Sequence, residues 1–430
     1  MKHNQNKILI ITYYWPPAGG PGVQRWLKFV KYLPEFGLQP IVYIPENPTY
    51  PIVDEALLSE VSNQAIIIRN KIIEPYQWAS FLSKNKTKKI SSGIIPSKRK
   101  QSILEQFLLW IRGNVFIPDA RVLWVKPSVK FLEKYISENG ITTIITSGPP
   151  HSLHLIGLEL KQKLNVKWIA DFRDPWTTIG YHKAMKLADF ADNKHKELER
   201  KVLNSADLIL VTSPTTRSEF KQITSKPIEI ITNGYDVEKV GNQVLDKKFS
   251  LAHIGSFLSE RNPRILWESI SELIRENPIF STHFQLKLIG AVSQEVLDAI
   301  ALFQLQNYVV NLGYVSHDEA IVQQKKSQVL LLIEIDSEDT KSIIPGKLFE
   351  YMVSERPIIG IGPKDSDFAE IITDTNTGVF VDYSEKDKLK NVISNYFNQF
   401  LEGNLKSQAV GLQKYSRRNL TEKLANLLKR

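Results

Sequence analysis

Cysteine is absent from all 430 residues. Its absence excludes disulfides, thiolate nucleophiles and cysteine-ligated zinc or iron–sulfur centres, and it fits a reducing compartment. Long apolar runs are missing as well, none approaching the about 20 apolar residues that a bilayer-spanning helix needs. The run KILIITYYW near the N-terminus has only the length of a strand and leads into a proline- and glycine-rich loop, so it reads as a strand and not as a secretion signal. No solenoid-period repeat and no low-complexity tract interrupts the chain.

What is present is a globular composition, 42% hydrophobic and 10% aromatic, in a chain too long for one ordinary core. The net charge of +9 suits phosphorylated small molecules, anionic lipid or nucleic acid. From Lys84 to Lys100, KNKTKKISSGIIPSKRK carries seven basic residues and no acid, and the apolar, aromatic ILEQFLLWIRGNVFIP follows. Residues 84–116 read either as a peripheral contact with an anionic membrane or as a solvated loop beside a core helix.

Strands and helices alternate along the chain. KILIITYYW (7–15), PIVYIPE (40–46), ITTIITSG (141–148), VKWIADF (166–172), ADLILVTS (206–213) and PIEIITNGYD (227–236) are strand-like, with a helix over 23–37 after the first. A second series follows the polar segment 237–249. Its strands are SLAHIGSF (250–257), FQLKLIG (284–290), VVNLGYV (309–315), QVLLLIEI (328–335), PIIGIG (357–362) and TGVFVDY (377–383). The pattern predicts an α/β chain of two doubly wound, Rossmann-like halves: residues 1–236, a linker at 237–249, residues 250–400, and a helical tail at 401–430.

The most informative segment is SIIPGKLFEYMVSERPIIGIG, 342–362. It predicts a short helix between two buried strands, with Pro345 and Gly346 at its start and Lys347 and Glu350 one turn apart. A cation and a diol-accepting carboxylate at a helix start suit a nucleotide diphosphate and its ribose. The plainer reading is a solvated surface pair. Gly19, Gly20 and Gly22 form a second loop, after the first strand, which either admits phosphate or sugar or simply turns the chain. It is no dinucleotide fingerprint, because Arg25 occupies the third glycine position. In DFRDPW, Asp171, Arg173 and Asp174 close a strand; they either bind an acceptor's hydroxyls or phosphate, or Arg173 bridges the two carboxylates. The acidic run Glu334, Asp336, Glu338 and Asp339 makes a poor metal site and reads as a solvated loop.

PGKLFEYMVSERPII resembles the donor-binding segment of glycosyltransferase family 4, retaining enzymes of the GT-B architecture, and especially its bacterial sugar transferases. The resemblance implies two Rossmann-like domains facing a central cleft, an N-terminal acceptor domain, a C-terminal donor domain and a last helix packing back toward the first. It implies a hexosyltransferase moving a sugar from a nucleotide-diphosphate sugar, with no other cofactor and no metal, to a hydroxyl of a polysaccharide or lipid-linked glycan precursor. Arg261 and Lys347 would grip the diphosphate as catalytic groups, and His151 would meet the reacting sugar. Gly20, Gly22, Gly255, Tyr314, Gly346 and Glu350 would line the donor, and Asp171, Arg173 and Asp174 the acceptor. Ser342 stands where the family commonly carries the first of two glutamates, and Ser147 where it usually holds its histidine. The expected place is the cytoplasm or the inner face of the cell membrane, and nucleic acid is not an expected partner. A GT-B nucleotide-sugar epimerase and a basic nucleic-acid-binding protein are the rival readings.

Overall fold

The computed structural model describes residues 6–74, 110–180, 182, 185–236, 241 and 243–430. The basic stretch 84–100 lies outside the described residues. Two compact units emerge, one of residues 1–232 with 417–430 and one of residues 233–416.

In the first unit, the described strands form a parallel sheet in the order β3-β2-β1-β4-β5-β6-β7. They are β1 (Asn6–Ile11), β2 (Leu38–Pro45), β3 (Ile66–Asn70), β4 (Thr143–Gly148), β5 (Lys167–Phe172), β6 (Leu208–Val211) and β7 (Ile228–Ile230). β1, β2, β4, β5 and β6 are nearly continuous apolar runs because helices cover both faces of such a sheet. The edge strand β3, IIIRN, is only half-buried, and sequence reading passed over it. The last helix, Arg417–Lys429, puts Leu420, Leu424, Ala425 and Leu428 into the core of Ile8, Ile10, Trp26 and Leu27.

The second unit repeats the plan with six described strands in the order β10-β9-β8-β11-β12-β13, all parallel. They are β8 (Phe249–Ile254), β9 (Phe284–Ile289), β10 (Val309–Gly313), β11 (Val329–Ile333), β12 (Ile358–Gly362) and β13 (Gly378–Asp382). Two boundaries differ from the sequence reading. The expected linker is partly built into this unit, since Asp246 accepts from Lys287 Nζ at 2.8 Å and from Ser250 Oγ at 2.7 Å. Residues 402–416 also belong to it, with a 3-10 turn at Leu412–Tyr415, and the last α-helix, which belongs to the first unit, begins only at Arg417.

Chain order reverses at one place in each sheet, between β1 and β4 and between β8 and β11. At such a switch point the connections leave on opposite faces, and a crevice opens at the carboxyl ends of the two strands.

Candidate active site

At the β8–β11 switch point, three segments bring charged groups together. β8 ends at Ile254 and turns through Gly255, whose φ of +111° places it in the region glycine favours. A Cβ at Gly255 would lie 3.7 Å from Lys347 Nζ, and one at Gly290 would strike the Gly255 carbonyl at 2.5 Å. The backbone here is bare because two strand ends and an ammonium share the space.

Lys347 opens the six-residue helix Lys347–Met352, with Gly346 as its N-cap and Leu348, Phe349, Tyr351 and Met352 buried beneath it. These apolar anchors fix the helix and thereby aim the lysine. Its Nζ donates to the Ile254 carbonyl at 3.1 Å and lies 3.2 Å from His253 Nε2. Loss of hydration, then repulsion from Arg261, draw the Lys347 pKa down to about 7 against the pull of Glu334 and Glu350. Gly346 has open space where a Cβ would point.

Arg261, at the end of the short turn after β8, donates through Nε and Nη2 to the two Glu334 oxygens at 3.1 and 3.2 Å. Glu334 is 1% exposed, which corrects the reading of the acidic run as wholly solvated. It continues β11 into the interior, and the Ile335 N–H and the Tyr383 hydroxyl secure its oxygen and its backbone carbonyl. Glu350 accepts from Gln324 Nε2 at 3.2 Å. Tyr314 is 90% exposed beyond Gly313, whose carbonyl accepts from the Gly290 N–H at 2.6 Å. Arg264 pairs with Glu268 on the surface.

Arg261, Lys347, Gly255, Gly346 and Glu350 thus gather around one sheet edge, while Tyr314 closes β10, two strands away from β8. Gly20 and Gly22 lie in the other unit. Sequence reading missed His253 and the buried Glu334. A histidine inside the apolar run SLAHIGSF, one residue from the glycine turn, was the available signal for the first, since a buried polar group needs a partner.

At the first unit's switch point the structure corrects two expectations. Asp171 does not face an acceptor. It is fully buried and accepts from Arg25 Nε and Nη2, Trp26 Nε1 and Ser147 Oγ, the shortest contacts being 2.8 Å. Nor does Arg173 bridge the two carboxylates: of these it pairs only with Asp174, at 3.8 Å, and it donates to the Gly22 carbonyl at 2.9 Å and the Pro149 carbonyl at 3.3 Å, tying the first helix's start to the ends of β4 and β5. Its guanidinium occupies the space a Cβ at Gly22 would take. Asp174, its side chain 43% exposed, is the accessible member of the trio.

His151 is 5% exposed and stacks on Trp176 with centroids 4.9 Å apart and ring planes within 3°. Burial, then the neighbouring His154 and Arg173, keep it neutral. Neither ring nitrogen reaches the surface or finds a hydrogen-bond partner among the described residues. The expected contact with a reacting sugar is therefore closed in this structure.

Residues 95–239 match the family described as Glycosyltransferase Family 4, and residues 248–399 match Glycosyl transferases group 1. No curated protein gives a significant match. Solved structures of the same fold include a sucrose-phosphate synthase from Thermosynechococcus elongatus, 15% identical over 99% of this chain and 97% of that one, with a TM-score of 0.58. An E. coli trehalose-6-phosphate structure bound with UDP-2-fluoro glucose is 9% identical over 99% of each chain, with a TM-score of 0.61. A UDP-N-acetylglucosamine 2-epimerase structure from Listeria monocytogenes is 10% identical over 99% of this chain and 96% of that one, at 0.56. With a Glycosyltransferase Family 4 match in the first half, a Glycosyl transferases group 1 match in the second and two Rossmann-like sheets in tandem, the chain is a glycosyltransferase of the GT-B fold.

Proposed function

We propose that the enzyme transfers a sugar, with retention of anomeric configuration, from a nucleotide-diphosphate sugar to a hydroxyl of a polysaccharide or lipid-linked glycan precursor. The observation that carries this reading is the pairing of Lys347 with Arg261 at the β8–β11 switch point. Lys347 stands beside a bare glycine turn and within electrostatic reach of Arg261, and one ammonium N–H is uncommitted among the described residues. As the glycosidic C–O bond breaks, positive charge grows on the sugar and negative charge on the departing diphosphate. Lys347 and Arg261 stabilise the second without a divalent ion. Glu350, already oriented by Gln324, accepts from the ribose diol. The acceptor's proton passes to the leaving phosphate oxygen, and Asp174 binds a hydroxyl of the acceptor.

The test is a thermal-shift panel of uridine- and guanosine-diphosphate sugars, followed by NMR of the product formed from an α-linked donor. Stabilisation by one nucleotide class and an α-linked product are expected; a β-linked product would refute retention. The epimerase alternative converts donor with no acceptor present, and incubation with donor alone separates the two.

No helix among the described residues is long and apolar enough to cross a membrane. We propose a peripheral contact with the inner face of the cell membrane through residues 84–116. Support within the described part comes from Trp110 and Val115, 43% and 59% exposed, next in sequence to the basic run. Deleting 84–100 is expected to weaken co-sedimentation with phosphatidylserine vesicles at low salt, and unchanged binding would reject the contact.

A further inference from the structure

The Lys347 ammonium has three N–H bonds, and the protein engages two of them. One goes to the Ile254 carbonyl and the other to His253 Nε2. Because an ammonium only donates, the imidazole accepts through Nε2, and it does so as a neutral ring. Its surroundings enforce this, since burial first, and then the cations of Lys347 and Arg261, hold its pKa well below the ordinary histidine value. The ring is also held in place. It is 1% exposed and stacks on Phe257 at 4.2 Å, and Phe257 is buried against Trp267. One turn after Lys347, the Tyr351 hydroxyl accepts from the Ile254 N–H at 3.2 Å, so strand end and helix are tied at the same residue that receives the lysine.

A neutral acceptor does something a carboxylate would not: it orients the amine without cancelling its charge. The charged groups facing Lys347 are Arg261 from the turn after β8, Glu334 at the end of β11 and Glu350 on its own helix. Glu334 gives both oxygens to Arg261, and Glu350 is engaged by Gln324.

We propose that His253 is a positioning residue that aims Lys347 at the donor diphosphate and leaves its charge to be balanced by that ligand, so that donor binding takes up a proton at Lys347. This rests on the donor site proposed above. The sign follows from linkage: the unliganded amine loses its proton as pH rises through about 7, the diphosphate complex retains it, and affinity falls by up to about tenfold per pH unit above that point.

The probes are UDP-glucose and GDP-mannose, whose doubly esterified diphosphates carry no titrating proton near neutrality. Titration calorimetry in two buffers of different ionisation enthalpy counts the protons taken up, and affinity is followed against pH. Wild type is expected to take up a proton on the alkaline side of neutrality. His253→Phe keeps the stack and removes the acceptor, and should move the break about one unit lower and weaken binding about tenfold on the alkaline side. His253→Gln, which restores an acceptor, should recover most of both.

A wild-type pH profile in folded His253→Phe would overturn the positioning role. Should that variant fail to fold, the absence of proton uptake by wild type would overturn it. Lys347→Ala separates the two proposals. If it binds the probes as wild type does, or if neither probe binds wild type, the donor-site reading fails. If it loses binding while His253→Phe keeps the wild-type profile, only the role of His253 fails.

Discussion

Lys347→Ala is expected to lower turnover about a hundredfold while the protein stays folded. Removing one preorganised donor to a developing oxyanion typically costs about 3 kcal/mol of transition-state stabilisation. The helix that carries the lysine is held by Leu348, Phe349, Tyr351 and Met352, none of which the substitution touches. Lys347→Met fills the space of the aliphatic stem and should behave as the alanine variant does, which ties the loss to charge and not to a cavity. Single-turnover kinetics with saturating donor read the effect directly. Activity within a few-fold of wild type in both variants would remove Lys347 from the mechanism.

The second large effect falls on stability and in the other unit. Asp171→Ala is expected to destabilise the first unit by about 3–5 kcal/mol, because it leaves the Arg25 guanidinium, whose side chain is 1% exposed, without its anion. Scanning calorimetry should show the first unit's transition lowered by roughly 10 °C and that of the second unit unmoved. Burial alone would raise the Asp171 pKa. The Arg25 cation and the hydrogen bonds from Arg25, Ser147 and Trp26 outweigh it and hold the carboxyl below the ordinary carboxylate range. The stability it contributes is therefore fully present above the ordinary value of 3.8 and is lost as pH falls through the lower folded-state value. Replacing both partners, as Arg25→Met with Asp171→Leu, should recover much of the loss. An unshifted transition in Asp171→Ala would show that the buried pair contributes nothing.

Where the chain speaks locally, the sequence was legible. VLLLI and IIGIG are continuous apolar runs because each is sandwiched between helices, and such runs announce a parallel sheet without further help. Lys347 and Glu350 were readable because a proline, a glycine and an apolar stripe mark the start of their helix. Asp171 was not, because its partner Arg25 lies 146 residues earlier in the chain. A strand-end carboxylate looks the same whether it faces water or a buried guanidinium. Glu334 misled for a related reason: the acids beyond it do lie in a loop, and only the registry of β11 shows that the first is carried inward. His151 stands at a helix start, as expected, and is covered by Trp176 from the next loop, a contact with no local signature. β3 escaped notice because an edge strand half-open to solvent lacks the unbroken apolar run of its neighbours.

The helix Arg417–Lys429 has one more consequence. Its leucines finish a core begun by Ile8 and Ile10, although the whole of 233–416 is synthesised between them. On the ribosome, the later-made unit holds an unbroken stretch of chain and can reach its native form first, whereas the earlier one waits with an open apolar face until residues 417–429 have emerged. Losing the helix Arg417–Lys429 would injure the half of the enzyme that was made first.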